Sequence, residues 1–100
     1  MRLYIDDLRT PEFQYDFIAR TSQDAIDFIE LNGCPKFISF DHDLGGDDTA
    51  MRVVKYLVEK DLDNPFIPED FDFYVHSANP VGKLNIEGYL ISYFKQKRSL

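Results

Sequence analysis

Four short stretches of the chain are rich in aromatic or β-branched residues: Leu3-Tyr4-Ile5, Asp16-Phe17-Ile18-Ala19, Phe37-Ile38-Ser39-Phe40 and Phe73-Tyr74-Val75. Three of them run almost continuously apolar, the pattern of strands covered on both faces. Between them the period changes. Thr21 followed by Asp24 resembles an acidic capping box, Ile26 and Ile29 supply an inward stripe, and Gly33 stands where a helix ends. Ala50, Val53, Val54, Leu57 and Val58 recur at the spacing of one buried helical face. A last helix opens with Asn79 as cap and Pro80 in its first turn, or near Asn85, and carries Ile86, Leu90, Tyr93 and Phe94 on its apolar side. The order β–β–α–β–α–β–α predicts a three-layer α/β sandwich around a small parallel sheet of about four strands.

Two connections stand out. Segment 6–15 is barely long enough for a parallel crossover and too short for a full covering helix, so an irregular crossover wrapping one sheet edge is expected. Segment 59–71, with Asp61, Asp63, Asn64, Pro65, Pro68, Glu69 and Asp70, reads as a long, solvated acidic loop. No repeat, low-complexity tract or linker divides the chain, and its 100 residues predict one domain, 1–100.

With 44% hydrophobic and 15% aromatic residues the chain has ample material for a packed core, which excludes intrinsic disorder. The single cysteine, Cys34, closes no intrachain disulfide, and the N-terminus breaks into charge at Asp6-Asp7 before a signal-like run forms. No stretch approaches the roughly 20 apolar residues of a membrane span. A cytoplasmic protein without a membrane partner is expected. A net charge of −7 disfavours extended nucleic acid as a partner, because phosphate chains reward concentrated positive charge. Lys83, Lys95, Lys97 and Arg98 stand against Glu87 alone near the end, a basic tail suited to a helix C-terminus. A small phosphate ligand held by a metal remains compatible with this balance.

Candidate chemistry gathers where strands end. Asp6-Asp7 follow the first strand with Arg9 close behind, Asp41-His42-Asp43 follow the third, and His76-Ser77-Ala78-Asn79-Pro80 follow the fourth. Ligands of open parallel sheets bind at such carboxyl ends, and if these three strands are neighbours their ends converge in one crevice. Carboxylates crowded there repel one another unless a cation intervenes, and Mg²⁺ (or Mn²⁺) suits an all-oxygen set. Asp6, Asp7 and Asp41 are the expected ligands, with Asp43 as a fourth member or a general base. Turn and helix capping is the competing reading for Asp6 and Asp43. His42 and His76 are the only histidines; both adjoin strand ends, where either could move a proton near neutral pH or simply be hydrogen-bonded in place. Zinc is disfavoured, since H-E-x-x-H and paired-thiol spacings are absent. Ser77 lacks a nucleophile-elbow context and suits hydrogen bonding to an anion. A helix opening after Asn79 would aim its free amides at a phosphate oxygen, with Lys83 and Arg9 as the cations in reach.

These residues carry a resemblance. Asp6-Asp7, Asp41 and Ser77 match the acidic pair, the later aspartate and the hydroxyl of receiver domains in two-component signalling. The blocks Tyr4-Ile5-Asp6-Asp7-Leu8-Arg9-Thr10-Pro11, Ser39-Phe40-Asp41-His42-Asp43-Leu44-Gly45 and Val75-His76-Ser77-Ala78-Asn79-Pro80-Val81-Gly82-Lys83-Leu84-Asn85 are similar to the cyclic-phosphate-processing receiver family. The resemblance implies a truncated receiver-like, flavodoxin-like fold without the first helix, the fifth strand or that strand's lysine. It also implies an activity on cyclic phosphates of nucleotides or RNA ends. The expectation is a metal-dependent phosphoesterase in which His42 or Asp43 activates water, His76 protonates the leaving oxygen, and Ser77, Asn79, Lys83 and Arg9 position the phosphate. Asp41 as covalent phosphoacceptor is the mechanistic variant. The alternative is a non-catalytic, degenerate receiver domain that binds a nucleotide, an anion or a protein.

Overall fold

Alternation within the strands decides how the layers stack. A computed structural model describes residues 1–99, with β1 (Arg2–Ile5), β2 (Phe17–Ala19), α1 (Ser22–Asn32), β3 (Phe37–Phe40), α2 (Met51–Asp63), β4 (Asp72–Val75) and α3 (Pro80–Ser99). The strands form one parallel sheet in the order β2-β1-β3-β4. Leu3, Ile5, Ile38, Phe40 and Val75 turn one way, into a core completed by Ala25 and Ile29 of α1, Val53, Val54 and Leu57 of α2, and Ile86 and Leu90 of α3. Each element therefore contributes apolar surface to a single interior, and α2 packs against both other helices. The chain is a truncated receiver-like α/β fold, as the resemblance implied.

The opposite face carries the register row Tyr4, Ser39 and Tyr74. Here the connection between β1 and β2 takes the place of a covering helix. Tyr15 packs on Tyr4 with ring centroids 5.2 Å apart, and the Arg2 guanidinium lies 4.9 Å from the Tyr15 ring centroid and 4.7 Å from that of Phe37. Asp16 clamps its end: its N–H donates to the Arg2 carbonyl and its carboxylate accepts from the Arg2 N–H at 2.7 Å. The irregular crossover, expected at one sheet edge, instead lies against this face at Tyr4 and Phe37 and leaves Tyr74 exposed.

Local signals place the helix ends. The Thr21 hydroxyl accepts from the Asp24 N–H at 3.0 Å, and Gly33, at φ +84°, returns its N–H to Ile29. Of the two starts open for the last helix, the chain uses Asn79-Pro80, with Asn79 Oδ1 capping the Gly82 N–H at 3.0 Å. Asp48 adds a tie that crosses the fold. Its carboxylate accepts from the Ser22 N–H at 2.9 Å and the Ser22 hydroxyl at 2.5 Å, joining the loop after β3 to the first turn of α1. Asp48→Ala is expected to lower stability by about 1 kcal/mol, as loss of a helix cap does, in a urea titration.

Segment 59–71 corrects its reading as a solvated loop. α2 runs through Asp63, and Asp61, only 2% exposed, turns inward. Three and four residues after Val58 and Leu57, it continues their buried stripe. Four donors meet it: the N–H groups of Phe66 (2.7 Å) and Ile67 (2.9 Å), the Tyr93 hydroxyl (2.5 Å) and Lys97 Nζ (2.7 Å). The basic tail therefore does more than complement its own helix: Lys97 joins α3 to α2. Among the described residues no helix is long and apolar enough to cross a membrane.

Candidate active site

Because β1 lies between β2 and β3, the chain leaves it to one side for β2 and returns on the other for β3 and β4. The crevice at this switch point opens at the carboxyl ends of β1 and β3. Ile5 pairs with Phe40 and Phe40 with Val75, so the next residues, Asp6, Asp41 and His76, sit level across three strands.

Asp6, Asp7 and Asp41 each present one carboxylate oxygen, and these atoms lie within 4.8 Å of one another. Asp6 is 1% exposed and fully occupied on one side: Oδ1 accepts from the N–H groups of Leu8 (2.9 Å) and Arg9 (2.8 Å). Its Oδ2 meets His76 Nε2 at 3.0 Å, with Arg9 Nε 3.6 Å away. Burial alone would raise the Asp6 carboxyl, but the Arg9 and Leu8 N–H groups and then His76 outweigh it and hold the group below its ordinary value. Asp41 turns one oxygen to the His42 N–H at 2.9 Å. Asp7 faces Gly45, whose φ of +94° lets the loop double back 3.6 Å from Asp7 Oδ2, reckoned from where a Cβ would stand.

The other wall is built on Asn79. While its Oδ1 caps α3, its Nδ2 donates to Asp43 Oδ2 at 3.2 Å and its backbone N–H donates to Ser77 Oγ at 3.0 Å. Asp43 also contacts His42 Nδ1 at 3.1 Å through Oδ1; the bonds from Asn79 and then His42 hold its carboxyl below the usual range. Between the walls lies an open cleft of about 470 Å³, bounded by Asp7, Arg9, Asp41, Asp43, Ser77 and Asn79, with Leu8, Gly45, Gly46 and Ala78 as apolar lining.

Three residues expected at the phosphate face elsewhere. The His42 ring packs beneath the first turn of α3 against Gly82. His76 has both ring nitrogens engaged, Nδ1 with Ser39 Oγ at 2.7 Å and Nε2 with Asp6, and it stacks on Tyr4 with centroids 4.6 Å apart. Lys83 Nζ stands 6.0 Å from the Tyr74 ring centroid, and none of the three lines the cleft. Two other residues escaped the sequence reading. Arg20 Nη1 donates to the carbonyls of Arg9 (2.6 Å) and Asp6 (3.1 Å) and so shapes the loop after β1, from a position with no motif around it. Ser39 could have been suspected, being the one hydroxyl in an apolar strand.

A family model described as the cyclic-phosphate processing Receiver domain matches residues 1–92. No curated protein and no solved structure matches the chain.

Proposed function

The chain belongs to the cyclic-phosphate processing receiver domain family, and from that premise we propose that the cleft is a metal-dependent phosphoesterase site acting on a cyclic phosphate of a nucleotide or RNA end. The observation that carries this reading is a cleft lined by Asp7 and Asp41, whose cluster the buried Asp6 completes, with the Ser77 hydroxyl and Arg9 on the same lining.

Asp6, Asp7 and Asp41 fit a hard divalent cation such as Mg²⁺ or Mn²⁺, being an oxygen-only set whose mutual repulsion a cation would relieve. Bound there, the ion would polarise a phosphoryl oxygen and lower the pKa of a water. Opposite it, the Ser77 hydroxyl accepts from Asn79 and keeps its proton for a phosphate oxygen. The first turn of α3 does not supply the free amides expected of it, since Pro80 has no N–H, Asn79 Oδ1 caps the Gly82 N–H and the Asn79 carbonyl takes that of Lys83; Arg9 adds charge at the rim. Asp43, exposed to the cleft and held by Asn79 and His42, is placed to orient an attacking water. His42 orients Asp43 from behind. Lys83, directed at Tyr74, leaves the phosphate to Arg9.

One observation favours a second reading, a non-catalytic module that binds a phosphorylated ligand: neither histidine lines the cleft. Titration of Mg²⁺ and Mn²⁺ into the protein and into Asp41→Asn, followed by melting temperature and amide shifts, tests the site. Saturable binding that shifts Asp6, Asp41 and Ser77, weakened roughly tenfold or more in the variant, is expected. The loaded protein should then open nucleoside 2′,3′-cyclic or 3′,5′-cyclic phosphates and Asp41→Asn should not. Intact turnover by the variant would sink the phosphoesterase mechanism; binding without turnover would leave the second reading.

A further inference from the structure

We infer that Ser39 and His76 form a buried relay that positions Asp6 for the cation, Ser39 acting on His76 and His76 on Asp6; the inference rests on the metal-site reading above. Three residues from three different strands or strand ends make the chain: Ser39 Oγ to His76 Nδ1 at 2.7 Å, then His76 Nε2 to Asp6 Oδ2 at 3.0 Å. Tyr4 holds the imidazole from one face, its ring parallel within 3°.

Donor and acceptor logic assigns the protons. An ionised Asp6 oxygen only accepts, so Nε2 carries the hydrogen that meets it. Ser39 Oγ engages Nδ1 at the other end, so both ring nitrogens are tied and the imidazole is fixed in its plane. The order Asp–His–Ser resembles a hydrolytic triad, yet Ser39 is 3% exposed in the middle of β3, where no substrate atom reaches its oxygen. The serine is a positioning residue.

What is positioned follows from the partners of Asp6. Its Oδ1 is held by two backbone N–H groups, and His76 takes one side of Oδ2. These bonds hold the carboxylate against rotation, with an oxygen within 4.8 Å of the ligand atoms of Asp7 and Asp41. Such hydrogen-bonded support of a ligating carboxylate is typically worth 10–100-fold in metal affinity. It also accounts for a hydroxyl in β3 between aromatic neighbours, Tyr4 and Tyr74, in the register row.

The test is Mn²⁺ affinity, read by calorimetry on the protein without substrate, together with the ¹⁵N shifts of the His76 ring. The unsubstituted protein is expected to show a hydrogen-bonded Nε2–H. His76→Ala should weaken Mn²⁺ about tenfold or more. His76→Gln, which can still donate to Asp6, should recover most of that loss, a rescue that a merely space-filling role would not produce. Ser39→Ala removes one oxygen, keeps the fold, and should both shift the ring signals and weaken Mn²⁺ severalfold. Wild-type affinity in folded Ser39→Ala and His76→Ala would overturn the relay while leaving the metal site standing. Absence of Mn²⁺ binding in the unsubstituted protein would instead overturn the metal-site reading, and the relay's purpose with it.

Discussion

Replacing Asp61 with alanine is expected to lower folding stability by about 3 kcal/mol, toward the lower end of what breaking a buried ion pair costs. The low end applies because Lys97 is 37% exposed and can swing into water once its partner is gone. The other donors cannot all do so. Ile67 is buried, so its N–H loses its acceptor without gaining a water. A domain of this size holds about 5–15 kcal/mol in total, so one side chain between α2 and α3 carries a large share. The effect depends on pH. Burial would raise the Asp61 carboxyl, but the donors, led by the Ile67 N–H and Lys97, hold it at about 2 against an ordinary 3.8. A depressed pKa means stability present above the ordinary value and lost as pH falls toward the folded one. Roughly 2 kcal/mol should therefore drain away between about pH 4 and pH 2. Urea unfolding at pH 5 and pH 2.5 checks this against Asp61→Asn, which cannot ionise: the wild-type protein should lose more stability than the variant over that interval. Equal losses would mean that Asp61 is not the titrating group.

Gly82→Ala is expected to destabilise the protein by about 2 kcal/mol, although the same exchange inside an exposed helix ordinarily stabilises it. A Cβ at residue 82 would stand 2.3 Å from His42 Cγ and 2.7 Å from Nδ1, well inside contact distance. The ring cannot retreat cheaply, because its Nδ1 holds Asp43 Oδ1 and Asp43 in turn holds Asn79. Displacing His42 should therefore move the Asn79 side-chain amide signals and lower any turnover along with stability. Gly88 provides the internal control. It lies in the same helix with nothing within 4 Å of its virtual Cβ, so Gly88→Ala should stabilise by up to about 1 kcal/mol. If both variants melt alike, the close approach of His42 to α3 is wrong.

The two cases show different kinds of legibility. Strand ends, helix stripes and caps were readable because period and capping are local: Thr21 caps α1 and Asn79 opens α3 as their neighbours dictate. The carboxylate cluster was readable one step further out. Three short apolar strands, each followed by polar residues, deliver Asp6, Asp41 and Ser77 to one edge of a parallel sheet when the strands are neighbours. Asp61 was misread because its charge was counted and its helical phase was not. That phase, following Leu57 and Val58, pointed inward all along.

What the sequence by itself determined was the element order and the polar residues that follow each strand, Asp6-Asp7 and Asp41 among them. These depend on residues a few positions apart. Only the tertiary structure decided where the longer polar side chains look. His76 turns to Asp6, 70 residues away, and to Ser39, 37 away, instead of to the cleft. Lys83 turns to Tyr74, and His42 tucks under Gly82. A histidine's role is set by which donors and acceptors meet its two nitrogens. Those partners come together only when distant strands pair in a particular register.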